Sequence, residues 1–256
     1  MSRIDGKIVI ITGGTQGVGE SCAILAAEKG AAGIVVCGRN EEKGNMVAEK
    51  ITSLGTKGIY LKVDLVNECD CRKIVKKCDD IFGRVDGLVN AAADAHRGTV
   101  EETTVKFWDY QFAVNVRAPF ILTQESVRVM IRERIAGSIV NILSAAGYCG
   151  AENLCSYSST KGALKTLTKN NAHALRKYKI RVNGINLGWT DTPNEDLYQI
   201  AQGSSKNWLE KAESSSPFSR LVKPLDVARL VNYLLSMDSG VLTGSCIDYS
   251  QQVIGV

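Results

Sequence analysis

Apolar positions along the chain fall into short β-branched runs at 7–12, 33–37, 58–63, 86–90, 138–143, 181–186 and 245–249, with stretches of helical spacing between them. Strand and helix therefore alternate. Several runs are apolar at consecutive positions, as in Ile8, Val9, Ile10 and Ile11, which is the pattern of a strand covered on both faces. The economical arrangement is an α/β fold: a doubly wound parallel sheet of about seven strands with helices on both faces. In such a sheet ligands bind at the carboxyl ends of the strands. One long polar stretch, 191–216, carries serine clusters around short helical pieces, and its length predicts a substrate lid rather than a connector.

Composition narrows the function classes. With 45% hydrophobic and 23% charged residues, and no compositional break, residues 1–256 are expected to form a single domain. The balance of 31 basic to 27 acidic residues is mild, and the basic pairs Arg72-Lys73 and Lys76-Lys77 run directly into Asp79 and Asp80, which argues against a nucleic-acid surface. No stretch approaches the ~18 apolar residues of a membrane span, and no secretory h-region opens the chain. A cytoplasmic location is the default expectation. Eight cysteines include no Cys-x-x-Cys pair, which points to reduced, mostly buried thiols. With only His96 and His173, a His-rich metal centre or a Ser-His-Asp triad is poorly supplied, so no metal is expected.

The first run leads into Thr12-Gly13-Gly14-Thr15-Gln16-Gly17-Val18-Gly19, after which 20–29 reads as a helix. Glycines let the backbone turn tightly and approach a pyrophosphate, which the free N–H groups of a helix start would stabilise. Gly14 and Gly19 have the spacing of a nucleoside-triphosphatase loop, but the next residue, where that chemistry needs lysine, is Glu20. At the end of the second run, Cys37-Gly38-Arg39-Asn40 offers no acid for ribose hydroxyls and supplies an arginine suited to a 2′-phosphate. A solvated surface arginine is the alternative.

Ser144 ends the run 138–143, and Tyr157 follows thirteen residues later with Lys161 at i+4, on one helix face. A phenol titrates near ~10 in water, so a neighbouring cation that favours its phenolate would make it a usable acid/base, and Lys161 is placed to act so. Tyr-x-x-x-Lys alone is a weak pattern. Its weight comes from Ser144 before it and the glycine loop at the start.

Taken in order, these motifs resemble the short-chain dehydrogenase/reductase family over essentially the whole chain. The loop is similar to the family's T-G-x-x-x-G-x-G at Thr12, Gly13, Gly17 and Gly19, and Asp64 in Val63-Asp64-Leu65 matches the adenine-contacting acid. Asn90-Ala91 heads a strand-end motif, Asn115 lies in Val114-Asn115-Val116, and Ser144, Tyr157 and Lys161 fall at the catalytic spacing. Two departures occur: the family's N-N-A-G is Asn90-Ala91-Ala92-Ala93, and its N-P-G is Asn186-Leu187-Gly188. Thr192 lies four residues after Gly188, where the family binds the nicotinamide carboxamide.

The resemblance implies a Rossmann-like fold and a nicotinamide cofactor, NADP by the reading of Arg39 with NAD still possible. It implies that this cofactor is held also by Asp64, Leu65, Asn90, Ala91, Gly188, Thr190 and Thr192. Tyr157 would exchange the hydroxyl proton, Ser144 would bond the carbonyl oxygen, and Lys161 would bind the nicotinamide ribose while lowering the tyrosine pKa. Asn115 would hold a water that relays protons from Lys161. The resemblance also implies a homotetramer built through the helices of Asn115 and Tyr157 and the C-terminal segment. Asp64 as a helix cap, and Asn115 as an ordinary helix polar residue, are the alternatives.

Candidate substrate contacts are His96, Tyr148, Asn153 and Trp189 beside Ser144 and Tyr157, with Asp94, Ala146, Tyr198 and Trp208 nearby. His96 also reads as a plain loop histidine. Polar groups near the reacting centre and few aromatics lean towards a small polar alcohol, polyol, sugar or ketone. The rival class is a non-catalytic dinucleotide sensor on the same fold. Such a protein could lose Tyr157 or Lys161 without penalty, so retention of all four groups Asn115, Ser144, Tyr157 and Lys161 favours an enzyme.

Overall fold

The computed structural model describes residues 2–148 and 151–253. In chain order the main elements are β1 (Ile8–Thr12), α1 (Gly17–Glu28), β2 (Gly33–Gly38), α2 (Glu41–Ser53), β3 (Lys57–Lys62), α3 (Glu68–Phe82), β4 (Gly87–Asn90) and α4 (Val105–Phe112). They continue as α5 (Ala118–Arg132), β5 (Ser138–Ser144), α6 (Cys155–Leu175), β6 (Arg181–Leu187), α7 (Pro193–Ala201), α8 (Trp208–Ser215), α9 (Pro224–Leu235) and β7 (Cys246–Tyr249). All seven expected strands form, with ends within one residue of the sequence reading. The first helix starts at Gly17 rather than at residue 20, because Gly13 and Gly17 take positive φ, +64° and +59°, and let the chain turn straight from strand into helix.

The strands pair in parallel in the order β3-β2-β1-β4-β5-β6-β7. Alternate side chains of one strand enter different cores. Val9 and Ile11 pack with Leu25 of α1, Val47 of α2 and Val231 of α9, whereas Ile8 and Ile10 pack with Ile74 of α3, Leu122 of α5 and Ala172 of α6. Burial on both faces explains the unbroken apolar runs, each such aliphatic side chain contributing about 1.5–3 kcal/mol. One domain results, with the helices in two layers. Cys22, Cys37, Cys71 and Cys78 belong to these cores, and burial pushes the Cys22 and Cys37 thiols up to about 12.

The chain leaves β1 towards β2 and β3, then returns to form β4 on the other side of β1. The carboxyl ends of β1 and β4 therefore flank the point where strand order reverses, the usual ligand crevice of an open α/β sheet. Thr12 ties the two together: its Oγ1 accepts from the backbone N–H groups of Ala91 and Ala92, both at 3.1 Å. Among the described residues no helix is long and apolar enough to cross a membrane.

Candidate active site

One cavity of about 910 Å³ runs across this crevice. The glycine loop forms its floor. A Cβ on Gly13 would stand 2.8 Å from Ala92 Cα, and one on Gly19 only 2.3 Å from the Gly13 carbonyl oxygen, so backbone here packs against backbone. The leading N–H groups of α1 lack intrahelical acceptors and open on the same cavity, through Gly17, Val18 and Gly19. A cradle of this kind, with glycines where side chains would clash, fits the pyrophosphate of a dinucleotide.

Of the residues expected around the cofactor, Gly13, Thr15, Gln16, Gly17, Val18, Gly19, Arg39, Asp64, Leu65, Ala91, Gly188, Thr190, Thr192, Tyr157 and Lys161 all line the cavity. Arg39 is exposed at the end of β2 and donates to the Tyr110 hydroxyl at 3.4 Å. A side chain at residue 38 would start 2.8 Å from Thr15 Cγ2, so Thr15 occupies the space in which an acid would sit. Gln16 is engaged on both ends: its amide donates to Asn194 Oδ1 at 2.6 Å and its oxygen accepts from Lys43 Nζ at 2.8 Å. Asp64 accepts from the Val66 N–H, closing a local turn at the cavity wall.

Asn90 does not join them. Its side chain is buried, donating to Asn141 Oδ1 at 2.8 Å, and Asn141 in turn donates to Thr168 of α6. The departures from the family pattern are accommodated here: Ala92 seats the glycine loop, and Leu187, in the proline position, extends β6 and enters the core.

Ser144, Tyr157 and Lys161 converge on the cavity. The Ser144 hydroxyl lies beside the Tyr157 phenol and accepts from the Ala146 N–H at 3.1 Å. Lys161 is buried; its Nζ donates to the Ile142 carbonyl at 2.8 Å and stands 5.6 Å from the centre of the Tyr157 ring. Burial lowers Lys161 to about 8 and raises Tyr157 to about 12. The direction is opposite to the expected lowering of the tyrosine by Lys161. The ammonium is spent on a backbone carbonyl, and desolvation of the phenol outweighs the lowering by the neighbouring Ser144 hydroxyl. A phenol held protonated at neutral pH is a proton donor.

Asn115 sits in a single π-helical turn, Ala113–Arg117, between α4 and α5, and does not line the cavity. Its amide donates to the Asp94 carbonyl at 2.8 Å and Thr160 Oγ1 at 3.1 Å, and its oxygen accepts from the Asp94 N–H at 2.8 Å. Both amide hydrogens are thus taken, and the side chain fixes the loop after β4. π-turns of this kind recur at functional sites.

On the substrate side, Tyr148, Asn153 and Trp189 line the cavity and His96 does not. His96 is turned out, its Nδ1 2.7 Å from Asp94 Oδ2 and its ring edge-on to Tyr198. The Tyr148 hydroxyl donates to Asp248 Oδ1 at 2.7 Å, which raises its pKa to about 12. The sequence reading missed Arg97 and Glu195, which enter this wall from opposite sides, the loop after β4 and α7. No local pattern could have joined residues so far apart in the chain.

Residues 7–201 match the family model of short chain dehydrogenases. The chain belongs to that family. It is 36% identical over 246 residues, 96% of each chain, to an uncharacterized oxidoreductase of Thermotoga maritima. It is 31% identical over 246 residues, 95% of this chain and 94% of the other, to an NADP-dependent (R)-specific alcohol dehydrogenase of Lentilactobacillus kefiri. A short chain dehydrogenase of Burkholderia cenocepacia J2315 solved in complex with NADP superposes with a TM-score of 0.86 at 26% identity, covering 97% of this chain and 98% of that one. This short-chain dehydrogenase/reductase is thus an oxidoreductase of a family that works with a nicotinamide cofactor on alcohols and their carbonyl partners.

Proposed function

We propose that this enzyme interconverts a secondary alcohol and its ketone, prefers NADP to NAD, and holds the cofactor between the glycine loop and Lys161. The observation that carries the reading is the continuity of one cavity from Arg39, past the glycine loop, to Ser144, Tyr157 and Lys161. When bound, the nicotinamide supplies the hydride. The protein does the rest. Ser144 donates a hydrogen bond to the carbonyl oxygen, and the protonated Tyr157 gives that oxygen its proton. Lys161, enclosed beside the tyrosine, binds the nicotinamide ribose and favours the phenolate left behind. Arg39 pairs with the 2′-phosphate, and Thr192, packed against Gly17, bonds the carboxamide. Asn115 positions the loop on which the substrate wall is built.

The stretch 191–216 is read as the lid, the homotetramer follows from family expectation, and a cytoplasmic location is the default reading. The test is to follow nicotinamide absorbance with both reduced cofactors over a panel of ketones, sugars and aldehydes. Consumption of reduced NADP with at least one carbonyl, at a kcat/KM about one to two decades above that with reduced NAD, is expected. Binding of NADP without turnover on any carbonyl would favour the sensor reading instead.

A further inference from the structure

The wall facing Ser144 and Tyr157 carries an ion pair that the hydride chemistry does not need. Arg97 Nη2 donates to Glu195 Oε1 at 2.8 Å, and its Nη1 donates to Gln202 Oε1. The two side chains keep only 20% and 13% of their surface exposed. Glu195 Oε1 also accepts from Trp189 Nε1 at 2.9 Å and from Gln199 Nε2 at 2.7 Å, so one carboxylate oxygen takes three donors. Its other oxygen, Oε2, bonds to no protein group among the described residues and keeps accessible surface, and both Glu195 and Arg97 line the cavity. The remaining N–H groups of Arg97 have no partner among those residues either.

The chemistry of an occupant follows from these open valences. An apolar ketone would cover an acceptor and several donors without replacing their water, leaving each of them unsatisfied. A carboxylate at the open N–H groups of Arg97 would meet a guanidinium already compensated by Glu195 and would stand beside that like charge. A cation would meet a carboxylate already compensated by Arg97. A hydroxyl group satisfies both sides at once, donating to Glu195 Oε2 and accepting from Arg97. Trp189, backed by Trp208 at 5.8 Å, gives the same wall an apolar face for the C–H groups of a carbon chain.

We propose that the substrate is a neutral polyhydroxylated carbonyl compound or the matching polyol, with a hydroxyl group near the reacting carbon held by Glu195 Oε2 and Arg97. This rests on the reading of Ser144 and Tyr157 as the reacting end. In the reducing direction the carbonyl carbon gains a hydride from reduced NADP and its oxygen gains the Tyr157 proton, leaving an alcohol and oxidised NADP. The polyol runs the same balance backwards. Arg97 and Glu195 are specificity residues and take no part in the proton transfer.

The experiment compares fructose with 2-hexanone, which share a six-carbon skeleton, in steady-state reduction by the intact enzyme with reduced NADP. Fructose should be preferred in kcat/KM by at least about a hundredfold, chiefly through KM, because a site built to bond hydroxyls rejects analogues that lack them. Glu195→Gln and, independently, Arg97→Lys should each lower that preference at least about tenfold while circular dichroism and melting show a folded protein. Equal or reversed preference, or a ratio unmoved in both folded variants, overturns the proposal. A second readout separates this from the catalytic reading. Trp fluorescence of Tyr157→Phe with oxidised NADP, titrated with sorbitol and with 2-hexanol, should show sorbitol binding at least about tenfold tighter even if turnover is nil. Equal affinities there overturn the proposal without touching the role of Tyr157.

Discussion

Lys161 enters the folded protein with its ammonium enclosed and one hydrogen bond, to Ile142, to offset the lost water. Its pKa falls from 10.5 to about 8. Below about 8 it is charged in both the folded and the unfolded chain, and the folded state carries the cost of burying the charge. Between about 8 and 10.5 only the unfolded chain still binds the proton, so stability from this group rises with pH across that window. Relative to Lys161→Met, the parent protein should gain roughly 3 kcal/mol from neutral pH to the upper end, read by urea unfolding of both proteins. Parallel stability curves would show that the lysine is not buried as a charge. Arg39 gives the other prediction at this scale. Because it stands exposed at the end of β2, Arg39→Asp should abolish an NADP preference of about one to two decades and turn it towards NAD, and raised salt should erode the preference of the parent. Unchanged kcat/KM ratios would leave Arg39 a surface charge.

Elements explain what was legible in the sequence and what was not. The strands announced themselves because both faces are buried, so runs such as Ile34, Val35 and Val36 needed no partner to be recognised. Tyr157 and Lys161 were equally plain, since four residues on one helix is a local relation. The side chain of Asn90 takes the core face instead of the cavity because, two positions after Leu88, it turns with that core towards Asn141 of β5. The protonation of Tyr157, the clamp made by Asn115 and the Arg97–Glu195 pair all arise where distant elements meet. The join of β1 to α1 is also a matter of elements. Gly19→Ala would drive a methyl group into the Gly13 carbonyl, so it should destabilise the protein by about 1–3 kcal/mol and weaken NADP binding, measured by melting and by cofactor titration. Normal values for both would contradict the tight cradle. The segment 191–216 holds α7 and α8, and Trp208, Ala212 and Leu221 form a small cluster apart from the two main cores. Such weakly attached elements open at low cost. Protease cleavage within it should slow when NADP and a substrate analogue are added, and equal rates would make it a plain surface insertion.

For the whole molecule, the sheet brings together residues from the first strand to the last third of the chain. The glycine loop and Ala91 come from the β1 and β4 ends, Ser144, Tyr157 and Lys161 from β5 and α6, and Arg97 and Glu195 from the loop after β4 and from α7. On the proposed reading, binding and proton transfer are separable functions of one cavity, and a change confined to the Tyr157 hydroxyl should divide them. Phenylalanine keeps the ring that packs beside Lys161 and removes only the acid. The decisive measurement is on Tyr157→Phe: NADP affinity and turnover determined on the same preparation. The expected result is an affinity within about twofold of the parent with kcat reduced at least about a hundredfold, the usual loss for a missing general acid. Turnover close to the parent's would contradict the assignment of Tyr157 as the proton donor and with it the account of the site.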